Sequence, residues 1–148
     1  MASYRLAELT PDNIGEALRL EVGPGQDTFV ASVADSLAHA YVSPSAWPRL
    51  VYDGDAVVGF VMANFEPYHE IEELQCGIWR LLVAAHAQGR GVGRFAVEAV
   101  ATEARRRGQS RITVLWVPGE GGPQDFYERM GFTITGKLFG QVVGAKQI

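Results

Sequence analysis

The chain has 148 residues, a formal net charge of −4 at pH 7, 47% hydrophobic and 20% charged residues. That length predicts one domain over 1–148 with a core of its own, and the acidic balance argues against a nucleic-acid partner, which calls for a basic surface. No apolar run approaches the length of a membrane span, the start Met1-Ala2-Ser3-Tyr4-Arg5 has no signal-peptide apolar region, and Cys76 has no disulfide partner; the expectation is a cytoplasmic protein off the membrane.

Tyr4 to Leu9 alternates and predicts a first strand, and Thr10-Pro11 starts a helix running to about Leu20, with Thr as N-cap and Pro at the first helical position. Glu21 to Gln26 breaks it. Val30, Val33, Ala34, Leu37 and Tyr41 recur at helical spacing, predicting a second helix over about 28–40. Arg49 to Tyr52 and Ala56 to Ala63 flank Asp53-Gly54, a hairpin signal. Pro67 and polar residues follow, then a strand over Leu74 to Val83, a glycine-rich turn and a helix over about 90–107. Arg105-Arg106-Arg107 before Gly108 reads as helix C-terminal capping rather than a phosphate patch. Arg111 to Val117 predicts a buried strand, 118–123 a loop, 124–130 a short helix and 132–146 further strands. The order β-α-α-β-β-β-α-β-α-β predicts a mixed α/β fold with a mainly antiparallel front half.

The glycine turn carries the most chemistry. Gln88-Gly89-Arg90-Gly91-Val92-Gly93 brings closely spaced N–H groups to a helix N-terminus, a construction suited to a pyrophosphate. The plainer alternative is a helix after a flexible turn. A dinucleotide fingerprint would need glycine where Arg94 stands, and a P-loop would need Gly-Lys-Ser/Thr where Gly93-Arg94-Phe95 stands. Metal chemistry is not expected, because Cys76, His39, His69 and His86 are scattered.

The Gln/Arg-x-x-Gly-x-Gly pattern at 88–93, followed by Phe126-Tyr127-Glu128-Arg129-Met130-Gly131-Phe132, resembles the GNAT acetyltransferase superfamily. The element order matches too, and the resemblance covers nearly the whole chain. Gly25-Gln26 with Phe29 to Ser32, Ala40-Tyr41-Val42, Ala46-Trp47-Pro48, Trp79-Arg80-Leu81 and 117–121 further resemble the small bacterial spermine/spermidine (diamine) N-acetyltransferases. The resemblance implies a single-domain α/β fold whose mostly antiparallel sheet has a splayed central pair of strands. It also implies acetyl transfer from acetyl-CoA to an amine by direct attack. Leu81, Leu82 and Val83 would hold the pantetheine arm. Gln88, Gly89, Arg90, Gly91, Val92, Gly93 and Arg94 would hold the pyrophosphate, and Tyr127 would protonate the departing thiolate.

Two positions depart from the family pattern. Trp79 stands where many members carry a Glu that removes the amine proton, and Glu120 stands where many carry an Asn on the pantetheine arm. Glu73, sharing strand parity with Trp79 and Gly77 if no bulge intervenes, becomes the first candidate base, with Glu72, Glu70 and His69 behind it. A solvated loop over 70–73 is the plain alternative. Tyr41, Trp47 and Trp79 suggest a closed acceptor pocket, and the acidic stretch 66–73 suggests a small polycationic amine, a polyamine or diamine. Open alternatives are an aminoglycoside-type antibiotic, a peptide or protein amine, and a non-catalytic acyl-CoA sensor. A charged tRNA acceptor is disfavoured by the net charge. A homodimer stays open.

Overall fold

The computed structural model describes residues 3–148. Met1-Ala2, part of the stretch read for a leader, lie outside the described residues. A seven-stranded sheet runs in the order β1-β2-β3-β4-β5-β7-β6. Its strands are β1 (Tyr4–Ala7), β2 (Ala46–Asp53), β3 (Ala56–Phe65), β4 (Cys76–Val83), β5 (Arg111–Trp116), β6 (Thr133–Leu138) and β7 (Gln141–Gln147). Every neighbouring pair is antiparallel except β4 and β5.

The helices cover both faces. α1 (Ile14–Leu18) and α2 (Val33–Tyr41) lie on one side; α3 (Val92–Arg106) packs on the other, and α4 (Gln124–Arg129) follows β5. Central β3 therefore reads almost continuously apolar, as a strand buried on both sides must. Val58, Val61, Ala63 and Phe65 join the α3-side core, whereas Val57, Phe60 and Met62 join the α1–α2 side. Phe60 is fully buried, so truncation to Ala would cost about 3–5 kcal/mol.

Local chemistry moves several predicted boundaries. The first helix is shorter than expected: Thr10 Oγ1 accepts from the Asp12 and Asn13 amides in a preceding turn, and regular helix begins only at Ile14. The second begins where Ser32 caps it, its Oγ accepting from the Asp35 amide at 3.1 Å. The hairpin pairs Asp53 with Ala56, so its two-residue turn is Gly54-Asp55, one residue on from the expected place. Pro48 is tolerated in β2 because β1 pairs only with 50–53, which leaves an edge where no N–H is needed. At the end of α3, Gly108 (φ 84°) lets its own amide and that of Gln109 reach the Arg105 and Ala104 carbonyls, a Schellman motif, and Arg106 and Arg107 pair with Glu103. The carbonyls at this helix end are thus capped by backbone amides, while the side chains of Arg106 and Arg107 bond the Glu103 carboxylate.

One irregularity positions the site. On β4, Arg80 pairs with Met62 but Ile78 pairs with Ala63, so Trp79 is the extra residue of a β-bulge. The bulge sets Trp79 5.8 Å from the His39 ring and brings Arg80 3.9 Å from Asp35, both partners lying on α2.

Candidate active site

β4 and β5 pair only at Gly77–Thr113 and Ile78–Val114, then diverge. The divergence opens a cleft of about 850 Å³ between them. The Ala84 amide donates to Val58 O at 2.9 Å, so strand alternation also directs the Leu82 peptide at β3 and those of Leu81 and Val83 into the cleft. Leu82 departs from its expected role: its side chain is buried in the α1–α2 core and does not line the cleft. Gln88 Nε2 donates to Val83 O at 3.1 Å and pairs with the Gln26 amide, tying the 22–31 segment to the glycine turn.

At the far end of this cleft lies the N-terminus of α3, a 15-residue helix. Gly89 and Gly91 have positive φ (76° and 87°), and a β-carbon built on either meets nothing within 4 Å. Val92 anchors the turn in the core, and Tyr4 OH donates to Arg90 O at 2.6 Å. The first-turn amides of α3, the open glycines and exposed Arg94, 3.9 Å from Glu98, stand at this end of the cleft, whereas Arg90, also exposed, does not border it. Gln88, Gly89, Gly91, Val92, Gly93 and Arg94 all border the cleft.

Tyr127 reaches the same cleft from α4. Its ring stacks on Trp116 (centroids 5.3 Å, interplanar angle 19°) and meets Phe126 and Phe132 edge-on. The residue is 6% exposed, and burial pushes its phenol well above the ordinary tyrosine pKa. Trp116 also borders the cleft and keeps a buried Nε1 donor without a partner.

A second cavity, of about 360 Å³, adjoins the first. Ile78, Trp79, Arg80, Leu115 and Gln141 border both. Glu66, His69 and Glu73 also line it, with Asn64 and Phe139. Glu73 belongs to a short 3-10 turn (Glu72–Leu74), and the bulge at Trp79 breaks the register, so the parity argument fails. The turn nevertheless brings Glu73 to the cavity. Glu70 is exposed and Glu72 pairs with Arg111 at 3.5 Å; neither lines the cavity. His69 Nδ1 accepts from the Ile71 amide at 2.9 Å, which leaves the ring proton of the neutral form on Nε2, beside Glu66 at 3.8 Å. That tautomer cannot take a proton at Nε2.

The expected aromatic enclosure is reduced to one member. Tyr41 is 90% exposed on the end of α2, and Trp47 is buried against Phe65 in the core. Trp79 alone of the three borders the cavity. Glu120 is exposed and borders neither cavity, while Gly119 and Gly122 approach Phe29 instead.

The sequence matches the model of the acetyltransferase (GNAT) family over residues 17–132, well over half the chain. This chain belongs to the GNAT family. No curated protein matches it. The GNAT fold is shared with solved structures across almost their full lengths. An acetyltransferase from Thermus thermophilus is 21% identical with a TM-score of 0.79, covering 99% of this chain and 97% of that one. The PaiA N-acetyltransferase from Thermoplasma acidophilum, solved with coenzyme A, is 9% identical with a TM-score of 0.74 and 99% coverage of both chains. The ribosomal-protein-S18-alanine N-acetyltransferase from Escherichia coli is 13% identical with a TM-score of 0.69, covering 99% and 94%. As a GNAT member, the protein is an N-acetyltransferase that uses acetyl-CoA.

Against the GNAT pattern, sequence reasoning missed several residues at these cavities. Arg80 lies at their junction, with its buried Nε unpartnered; burial lowers its pKa, and Asp35 partly offsets that. Gln141 and Phe139 arrive from the β6–β7 hairpin, and Asn64 from β3. Their sequence contexts carry no spacing signal, since chain folding alone brings them together. No helix among the described residues is long and apolar enough to cross a membrane, and no group of metal-ligating side chains occurs among them.

Proposed function

We propose that the larger cleft binds acetyl-CoA and the smaller cavity receives a small amine, with a polyamine or diamine as the preferred acceptor. The observation carrying this reading is the shared wall of Ile78, Trp79, Arg80, Leu115 and Gln141, with Tyr127 in one space and Glu73 in the other. A nucleophile and a thioester entering from opposite sides would meet across the β4–β5 divergence. The residues suit the cofactor. The turn at 88–94 offers amides and cations to a pyrophosphate, and the Leu81 and Val83 peptides offer ladder-like bonds to an amide-bearing arm.

Acetyl-CoA supplies an activated acetyl thioester. A primary amine with a pKa of about 10.4 is neutral in only roughly one molecule in two thousand at neutral pH, so the ammonium proton must be removed. Glu73 accepts it, directly or through water, since His69 is held in the wrong tautomer. Attack by the amine nitrogen forms the carbon–nitrogen bond, the carbon–sulfur bond breaks as Tyr127 gives its phenolic proton to the leaving sulfur, and the surplus proton on nitrogen returns to the phenolate, directly or through water. Burial keeps that phenol protonated across the physiological range. The same dry surroundings disfavour the bare thiolate and the phenolate alike, so they couple the proton exchanges to one another and do not make Tyr127 a stronger acid.

Glu66 and Glu73 support a cationic acceptor, although the acidic contribution is smaller than the stretch 66–73 suggested. A second reading rests on Arg80. Its unpartnered Nε favours an acceptor that also carries an oxygen, such as an aminoglycoside or a peptide. Buried Cys76, free of disulfide, suits a reducing compartment such as the cytoplasm. The test is release of the CoA thiol with putrescine, spermidine, kanamycin, a tripeptide and propylamine. Spermidine or putrescine should lead. A lead for kanamycin or the peptide would transfer the proposal to the Arg80 reading, and turnover with none would overturn the active-site assignment.

A further inference from the structure

β6 and β7 are joined by a two-residue turn, Phe139-Gly140, between the paired residues Leu138 and Gln141. Both turn residues have positive φ, 53° and 75°. Such hairpins want Asn-Gly or Asp-Gly, because an L side chain with a bulky Cβ substituent is disfavoured in the left-handed region. Phe139 is the one non-glycine residue at positive φ among the described residues. Packing does not account for it, since the residue is 71% exposed. A large apolar side chain is thus held in an unfavourable backbone conformation with little burial in return. Strain of this kind points to a local role. The place gives the role: Phe139 lines the mouth of the smaller cavity, with Trp79 and Leu115 among the other apolar residues around it and Glu66 and Glu73 on the same lining.

We propose that Phe139 is an acceptor-contacting residue whose ring grips the hydrocarbon body of the amine substrate. This rests on the reading of the smaller cavity as the acceptor site. It adds a requirement: the acceptor carries alkyl or aryl surface beside its ammonium, which an aromatic face and nearby carboxylates accommodate together. Amines with almost no alkyl or aryl surface, such as methylamine, are then poor substrates, because they leave the ring in water.

Phe139→Asn tests it, because Asn adopts the left-handed conformation readily and removes the ring. Relief of the turn should raise the folding equilibrium constant roughly threefold to tenfold, read as a higher urea midpoint. With spermidine and phenethylamine as probes, kcat/KM should fall about tenfold, mainly through KM, the scale of one apolar contact. The Kd for acetyl-CoA should stay at the wild-type value. Phe139→Tyr, which keeps ring and backbone, should retain wild-type stability and kinetics. A lower urea midpoint for Phe139→Asn, or wild-type kcat/KM with both probes, overturns the proposal. Loss of a dimer in sedimentation with acceptor kinetics intact also overturns it, assigning Phe139 to a contact between copies. Wild-type enzyme that acetylates neither probe nor any other amine would instead overturn the function proposed above, and this inference with it.

Discussion

Gly93 on α3 lies directly against the Phe126 ring on α4. A β-carbon at Gly93 would stand 2.9 Å from Cζ and 3.0 Å from Cε1 of that ring. Phe126 in turn meets Tyr127 edge-on, with centroids 5.1 Å apart. The third glycine of the turn therefore joins the helix that borders one end of the larger cleft to the helix that carries the Tyr127 phenol. Gly89 and Gly91 differ, each having positive φ and open space.

The two kinds of glycine should respond differently. Gly93→Ala should push on Phe126 and displace Tyr127, lowering kcat and the melting temperature more than acetyl-CoA affinity. Gly91→Asp should place a negative charge in the open turn and weaken acetyl-CoA binding by more than about tenfold while circular dichroism stays native. Calorimetry and steady-state kinetics on both variants check this. Unchanged acetyl-CoA affinity in Gly91→Asp would remove the turn from the cofactor site.

Tyr127→Phe keeps the stack on Trp116, so the fold and acetyl-CoA affinity should be nearly intact. Loss of the proton donor should lower kcat by about 10² or more. Because burial raises the phenol, the folded enzyme should show no loss of kcat from tyrosine ionisation up to its ordinary value near pH 10. Near-normal turnover in the variant, with chemistry shown to be rate-limiting, would leave Tyr127 a packing residue.

Glu73→Gln should shift the rise of kcat/KM to higher pH or flatten it, because fewer amine protons find a carboxylate acceptor. Wild-type preference for spermidine over propylamine should shrink as salt rises, since exposed charges are screened beyond about 8 Å at physiological ionic strength. Glu70→Gln should do much less, as Glu70 is exposed outside the cavity. Equal rates for the two amines at low salt would dismiss the polyamine preference.

Cys76 gives a stability prediction with a defined sign. Burial pushes its thiol up to about 11. An unfolded thiol, near 8.5, loses its proton first. Stability should be fully present below about pH 8.5 and fall as pH climbs towards 11. Cys76→Ala should flatten that alkaline limb in urea titrations. The native thiol should also react slowly with Ellman's reagent at pH 7.5, with fast labelling contradicting its burial.

Most of the fold was legible because its signals are local. Hydrophobic period, glycine turns and the Tyr127 segment each act within a few residues, so the element order and the glycine turn at the start of α3 could be read along the chain. The same local reading set helix starts wrongly where side-chain caps compete, at Thr10 and at Ser32. The lining of the smaller cavity was much less legible. It comes from β3, the turn after it, β4, β5 and the β6–β7 hairpin. A single inserted residue at Trp79 overturned the parity that linked Glu73 to the strand. Period-two reasoning carries one bit per residue, and a bulge inverts it without any mark in composition. Tertiary structure alone placed Glu73 at the cavity, left Tyr41 in solvent, turned Leu82 into the opposite core and brought Phe139 to the cavity mouth. Chain neighbours within a turn constrain each other through backbone geometry, whereas residues tens of positions apart meet only after the sheet has closed its register.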